Sequence, residues 1–502
     1  MAPVGESGGP RTYGNWRRPA SAGLGALGTI GTGLLLAGLI VVILTMMLAG
    51  ILVAVAVALV LGAALSSLMI RNRHGKTLLQ AIGTRLGWLR ARATGAHLYR
   101  SGPLGRVEWG RFQLPGLAAG STLLEARDSY DRPFALLRVP STGHFTVAFS
   151  ADSDGASLVD EEQIDLWVAH WGQWLAALGD EPGVVAASVT IETAPDTGSR
   201  LRSEVEANID PEAPAVARAM LEETVATYPA GSATVKAIVA VTFSGAGRGY
   251  ARGRDADDMA RDLAARVPWL SQTLHATGAG AARPMTAQQL CELVRTAYDP
   301  RSARVFDHAR AEGAVPELHW GDVGPTAAEA GWDVYRHDDA WSVTWSMSQA
   351  PRGEVQSRVL ERLLRPHGDI DRKRVTILYR PVDSARAARI VEQDKRNADF
   401  RVNSATRPSA RALVEQRAAA STAAEEARGA GLVNFGMLVT ATVTDRDRLD
   451  AARQAVDHLA PTARIMLRPV YGSQDSAFAA ALPLGLVLPS HLRVPSELRE
   501  SL

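Results

Sequence analysis

From Pro19 to Ile70 the chain carries no Asp, Glu, Lys, Arg or His. An uncharged run of roughly fifty residues, rich in Leu, Val, Ile, Ala and Gly, is about twice what one helix needs to cross ~30 Å of hydrocarbon. The pattern predicts two transmembrane helices, about 27–48 and 51–70, with the break at Ala49 and Gly50. A secretory signal has an apolar core of only ~7 to 15 residues, so this stretch is too long for one. A buried soluble hairpin is the other reading. Gly25, Gly28, Gly31, Gly33 and Gly38 offer small surfaces for a close helix-helix contact. Arg11, Arg17 and Arg18 precede the pair, Arg71, Arg73 and Lys76 follow it, and the turn is uncharged. The positive-inside rule then puts both flanks in the cytoplasm, which predicts a two-helix protein of the inner (plasma) membrane with both termini cytoplasmic and membrane lipid as its first partner. Residues 1–18, rich in Gly, Pro and Ser, read as a disordered cytoplasmic tail, with Tyr13 and Trp16 placed for the headgroup level.

Residues 71–105 form a basic juxtamembrane helix and linker. Leu78, Leu79, Ile82, Leu86 and Leu89 recur at helical spacing among Lys76, Arg85, Arg90 and Arg92. Such a helix either lies on an anionic leaflet or packs against the soluble part. Gly75, Lys76 and Thr77 spell the end of a phosphate loop, but position 70, where the loop needs its first glycine, is Ile, and the match is accidental.

From Arg106 the period changes. Phe134–Val139 and His144–Phe149 read as a hairpin, and Asp160–Leu178 as an amphipathic helix whose tryptophans fall on the apolar face. Val184–Ile191 and Thr234–Phe243 read as strands. Pro211–Tyr228 reads as a helix capped by Asp210, and Asp255–His275 as another. A short strand near Arg283–Met285 closes the series. Thr286 caps a helix to about Ala297. The order then repeats: strand Ala340–Met347, helix Gly353–Leu364, strand Arg374–Tyr379, a helical hairpin over Ser384–Ala427 broken near Pro408, strand Leu432–Val443, helix Arg446–Leu459 and strand Ala463–Val470. The predicted fold is a membrane α-helical hairpin followed by cytosolic α+β structure. That structure is two tandem split β-α-β (ferredoxin-like) units with helical insertions. The divisions are 106–285, a connecting region 286–339, a second unit 340–485 with its helical hairpin 384–427, and a C-terminal tail 486–502.

Composition narrows the functions. A net charge of +1 with 21% charged residues gives no global basic field for nucleic acid. Cys291 is the single cysteine, so neither an internal disulfide nor a cysteine metal cluster forms. No glycine-flanked serine nucleophile, His-Glu-x-x-His helix or dinucleotide fingerprint occurs, and Gly245, Gly247 and Gly249 have the wrong spacing. Asp255, Asp257 and Asp258 sit where a helix begins, where acidic residues belong anyway. His170, His275 and His367 are isolated. The sequence thus points to a non-enzyme without catalytic, cofactor-binding or metal residues, although a site assembled from distant residues stays open. On the 384–427 hairpin, arginines such as Arg386, Arg396 and Arg417 interleave with Glu392, Asp399 and Glu415, which suits a solvated arm better than a single-strand DNA site.

Two stretches resemble known families. Strand, helix and strand over 435–470 are followed by Tyr471, Gln474 and Phe478 and then Leu482, Pro483, Leu484 and Gly485. This resembles the end of the amino-terminal domain of VirB-type traffic ATPases of type IV secretion, here without the motor. Tyr13, Gly14, Asn15, Trp16 and Arg17, the glycine-rich run and the apolar pair are similar to PrgI-like membrane proteins of conjugation systems. The whole resembles integral membrane proteins of actinobacterial conjugative elements. The resemblance implies a docking partner for a separate hexameric traffic ATPase and other secretion-channel subunits, working as an oligomer within a complex. An EccE-like subunit of a type VII secretion membrane complex and a membrane-tethered enzyme are the alternatives.

Overall fold

The computed structural model describes residues 11–14, 16, 28–69, 78–102, 105, 113–153, 155, 159–196, 198–210, 212–227, 233–246, 254–351, 353–404 and 406–492. Helices α1 (Gly28–Ala49) and α2 (Ile51–Met69) meet at Gly50, whose φ of +84° is the left-handed conformation that glycine adopts without penalty. Gly31, Gly38 and Ala54 are buried between them, and a Cβ on Gly38 would lie 3.4 Å from Leu61 Cδ1. Of the five glycines noted for this contact, Gly33 faces open space, and Gly25 lies outside the described residues. The outward side chains, from Leu34 to Val60, are exposed and apolar. Among the described residues one helix, Gly31–Ala49, can cross a bilayer by length and composition; the apolar run of α2, Ile51–Ser66, is shorter than the ~20 residues expected of a second crossing. Arg17, Arg18, Arg71, Arg73 and Lys76 lie outside the described residues, whereas Arg11 is exposed.

Helix α3 (Leu78–Thr94) leads to a body built on one antiparallel sheet. Its elements in order are β1 (Leu98–Arg100), β2 (Thr122–Arg127), β3 (Pro133–Val139), β4 (His144–Asp152), α4 (Glu161–Asp180), β5 (Val184–Pro195), α5 (Ser199–Asn208), α6 (Ala215–Thr227), β6 (Ala233–Ser244), α7 (Ala256–Leu274) and β7 (Ala281–Pro284). Then follow α8 (Ala287–Tyr298), α9 (Ser302–Ala311), β8 (Ala327–Ala330), β9 (Tyr335–His337), β10 (Ala340–Gln349), α10 (Glu361–Leu364) and β11 (Arg372–Pro381). The last elements are α11 (Ser384–Asn403), α12 (Ala410–Glu426), β12 (Val433–Val443), α13 (Leu449–Thr462), β13 (Met466–Pro469) and α14 (Gln474–Ala480).

The pairing repeats itself. β4 lies between β6 on one edge and β3 and β7 on the other, while β5 pairs with β6. In the same way β10 lies between β12 and the pair β9 and β13, while β11 pairs with β12. The two halves join through β5 and β11, in register from Lys373 opposite Thr193 to Tyr379 opposite Ala187. One face of the sheet buries two apolar cores, one under α4 and α7 around Phe145, Val241 and Leu263, the other under α10 and α13 around Trp345, Val439 and Val456. The opposite face is covered by α8, α14 and the segment after it.

Several expectations need correction. The helix expected over 353–364 is a single turn of α10 preceded by a 3-10 turn, because Gly353 takes φ +74° and Val355 is extended and pairs with Tyr13. The helix expected from Pro211 begins at Ala215, and Asp210 instead accepts from Glu212 N in an Asx turn (2.9 Å). Asp255 is a helix cap, accepting from Asp258 N at 2.8 Å, as the acidic cluster suggested. Gly247 and Gly249 lie outside the described residues.

Candidate functional site: a strapped polar face and its arms

On the second face the inward positions of the strands are hydroxyl-bearing. Thr146 and Thr242 meet at 3.1 Å across β4 and β6, Thr190 and Thr376 at 3.1 Å across the β5–β11 seam, and Thr344 and Thr440 at 2.9 Å and Ser342 and Thr442 at 2.7 Å across β10 and β12. Each pair is directly opposite in register, so period-2 alternation alone places the hydroxyls in rows. Buried hydroxyls need partners, and the rows supply them.

The segment that crosses these rows holds the residues singled out by family resemblance. Gln474, fully buried, accepts from Thr344 N (2.8 Å) and donates to the carbonyls of Thr344 (3.2 Å) and Val470 (3.0 Å), fixing the start of α14 on β10. Phe478 packs among Tyr298, Tyr335 and His337, with ring centroids 4.7–5.3 Å away. Thr376 donates to the Ala481 carbonyl (2.6 Å), and Thr146 to that of Leu484 (3.4 Å). Leu482 and Leu484 enter the core beneath α8, and Pro483 is buried between them. Gly485 has φ +65°, and a Cβ there would overlap the hydroxyl oxygens of both Thr146 and Thr242. Glycine is required twice over, for conformation and for space. These six residues therefore form a strap running from β10 in one half of the sheet to β4 and β6 in the other. Tyr471 lies outside the strap, stacked on Trp332 at 5.7 Å.

Charge is concentrated at the seam. Glu192 on β5, 2% exposed, receives Arg374 through Nε (2.9 Å) and Nη2 (2.6 Å) and Arg372 through Nη1 (2.5 Å). Exposed Lys236 on β6 stands opposite it. Burial alone would raise the carboxyl's pKa, but Arg372, Arg374 and Lys236 outweigh that and bring it down to about 2. The sequence offered no signal for this site, since its members are about 180 residues apart in the chain and only the register of β5 with β11 unites them. On the other face α4 closes the same seam, with Trp171 stacked on Trp174 at 4.9 Å and 5.9 Å from Tyr379 of β11.

His337, fully buried, is neutral, its pKa brought by burial down to about 4. Its Nδ1 faces the Tyr298 carbonyl (2.5 Å) and so donates, leaving Nε2 to accept from Ser342 Oγ (2.7 Å). Lys373, on the opposite face, is brought by burial down to about 8, and its ammonium donates to the Arg365 carbonyl. A cleft of about 260 Å³ beside Trp320 is lined by Gln113, Ser121, Thr122 and apolar residues, without a charge. Among the described residues no three His, Cys, Asp or Glu side chains converge as metal ligands.

Two helical arms leave the sheet at equivalent points, each between the second and third strands of the repeated set: α5 with α6, and α11 with α12. The second arm is tied by Ser409, which caps α12 through Ala412 N (3.2 Å), and by pairs of Gln416 with Asp399 (2.9 Å) and Arg401 with Glu415 (3.1 Å). Near the turns the arms expose Val216 and Met220 on one and Phe400 and Val414 on the other, each at least 63% accessible.

Residues 20–80 match a family described as a domain of unknown function (DUF8461), which covers the apolar pair and the approach to α3. No curated protein matches the chain.

Proposed function

We propose that this chain is a non-catalytic inner-membrane component of a conjugative, type IV-like secretion machine, in which a two-crossing hairpin anchors a cytoplasmic platform that docks a separate traffic ATPase. The observation that carries the platform reading is the pair of arms. Large apolar side chains near the ends of charged helices, which no other part of the described chain covers, are characteristic of protein contact surfaces. The strap's Gln474-to-Gly485 pattern, which resembles the traffic-ATPase amino-terminal domain, supports the choice of partner.

Two further observations support the finer features. Before the apolar pair, Tyr13 pairs with Val355 and its hydroxyl donates to Asp165 (2.5 Å); after it, Trp88 of α3 packs on Trp332 at 5.4 Å. Both ends of the apolar stretch are thus held by one body, which favours an even number of crossings with both ends on one side, and the flanking Arg11, Arg17, Arg18, Arg71, Arg73 and Lys76 favour the cytoplasmic side. The 19-residue α2 spans about 28 Å, close to a bilayer's hydrocarbon thickness. The repeated pairing, with the first strand of each set between the third and fourth and the second outside the third, follows the ferredoxin-like order.

The test is photocrosslinking in membranes from Phe400 and Val414 of the full chain, read by mass spectrometry. A hexameric ATPase among the products is expected, and co-purification of that ATPase with the unlabelled chain should be lost in Phe400→Asp/Val414→Asp. Arms that crosslink to no ATPase, nucleotide turnover by this chain alone, or a C-terminus accessible outside the cell would each overturn the reading.

A further inference from the structure

Helix α3 has two differently used sides. Thr84, Trp88 and Ala91, at helical spacing, face the body: Trp88 meets Trp332 edge-on at 5.4 Å, and Gly472 leaves room for Trp332 and Thr84, which a Cβ there would approach to 2.9 and 3.3 Å. On the opposite side Leu78, Ile82, Leu86 and Leu89 form a stripe, 46–61% exposed. Arg85 and Arg92 border the stripe on one side and Arg90 on the other. Both arginines of the first border are held beside aromatic rings, Arg85 over Trp332 and Arg92 over Trp88, each at 5.5 Å.

From this arrangement we infer that α3 lies in the plane of the anionic inner leaflet, its apolar stripe sunk among the acyl chains and its arginines at the headgroups, and so fixes the sheet's height and tilt against the membrane. Three observations select a bilayer as the occupant. Helix α3 touches α2, the element that returns from the apolar pair, so the stripe lies next to the segment proposed above to be in lipid. No Asp or Glu occurs between Glu6 and Glu108, so every fixed charge that can neighbour the stripe along the chain is positive. A one-sided stripe bordered by arginines is the design of interfacial helices, and each base near an anionic surface strengthens binding about fivefold. The inference rests on the membrane reading above and adds the lipid class and the orientation.

The test uses the full chain in proteoliposomes, spin-labelled one site at a time at Ile82→Cys, Leu86→Cys, Gln80→Cys, exposed in the first turn of α3 on its body-facing side, and Leu44→Cys in α1. Accessibility to oxygen is compared with that to a water-soluble nickel chelate. Cys291 is buried, its thiol pushed up to about 12 mainly by that burial, and the unsubstituted chain serves as the labelling control. With 30 mol% anionic lipid, positions 82, 86 and 44 should favour oxygen and position 80 the chelate. In zwitterionic vesicles, or with Arg85→Gln/Arg90→Gln/Arg92→Gln, positions 82 and 86 should move toward the chelate while 44 does not. If 44 favours oxygen but 82 and 86 match 80, the inference fails and the anchor stands. If 82 and 86 are shielded from both reagents, protein covers the stripe and the inference fails. If 44 also favours the chelate, the anchor itself is wrong.

Discussion

Replacing Glu192 by Gln tests whether the β5–β11 seam unites the two halves of the platform. The amide keeps the size and some hydrogen bonding of the carboxylate but leaves Arg372, 8% exposed, and Arg374, 2% exposed, without a counter-charge. Removing one member of a buried ion cluster costs about 3–5 kcal/mol, because charges remain desolvated and unpaired. The carboxyl's pKa gives an independent figure. Its fall from 4.5 to about 2 corresponds to about 3 kcal/mol of preferential stabilisation of the folded state. Since the folded value is the lower one, the unfolded chain takes up the proton first as pH falls, so this contribution is complete above about pH 4.5 and disappears toward pH 2. Amide hydrogen exchange of the full chain in nanodiscs reads the effect locally. Protection of β5 and β11 amides should fall by two to three orders of magnitude in Glu192→Gln, at about 1.4 kcal/mol per tenfold, with β2 and β13 far less affected. Glu192→Met/Arg372→Met/Arg374→Met should recover most of the loss, since an apolar replacement leaves nothing buried and unpaired. Seam protection within threefold of the parent in Glu192→Gln would refute the argument.

Gly485→Ala should destabilise by about 3 kcal/mol or more, since its methyl would overlap two threonine hydroxyls at a positive φ; faster proteolysis after Phe478 would report strap release. Gln474→Leu strands the Thr344 N–H and removes the donor to the Val470 carbonyl, while the Thr344 carbonyl keeps Val470 N at 2.9 Å, and a loss of about 1–3 kcal/mol is expected in denaturant titration. His144 and His337 are held neutral, each brought down to about 4, by burial in both cases and by His491 beside His144. Because the unfolded imidazoles protonate near 6.5, stability should decline as pH falls from about 6.5 to about 4, and His337→Gln should remove up to about 3 kcal/mol of that decline in thermal melts at pH 4.5 and 7.5.

Elements whose faces differ sharply were legible in the sequence. The uncharged stretch, its break at Gly50, and the amphipathic helices α4, α7, α8 and α13 all follow from composition or 3.6-residue spacing, and the Thr286–Gln289 capping box fixes the start of α8. Elements stabilised from a distance were not. β8 is Ala-Ala-Glu-Ala, a poor strand sequence made extended by pairing with β1 and β9, and α5, Ser-Arg-Leu-Arg-Ser-Glu-Val-Glu-Ala-Asn, has too few apolar positions to announce a helix. Val355 has the sequence of a helix start but is held extended by Tyr13, from the other end of the apolar pair. The order of strands and helices within the two repeated sets was readable, while the meeting of β5 and β11 was not, because edge pairing between units leaves no local periodicity.

The hydroxyl rows explain why the strap's constraints fall on one contiguous stretch of sequence while the seam's do not. A strap that crosses threonines must present backbone carbonyls to them, which explains the requirement for small or kinked residues: Ala481 and Leu484 offer carbonyls, and Gly485 admits the hydroxyls of Thr146 and Thr242. Those constraints act on consecutive residues and so leave a contiguous pattern. The seam needs only one carboxylate and two guanidiniums on separate strands, each ordinary in its own neighbourhood. Mechanically the two act together. The strap ties β10 to β4 and β6 on one face, α4 spans β5 and β11 on the other, and the ion cluster lies in the sheet between them. The two arms start beside the seam, since α11 leaves from the end of β11 and α5 from the end of β5, while the apolar pair is held by the second half through Trp88 on Trp332 and Tyr13 on Val355, so the second arm is joined to it without crossing the seam.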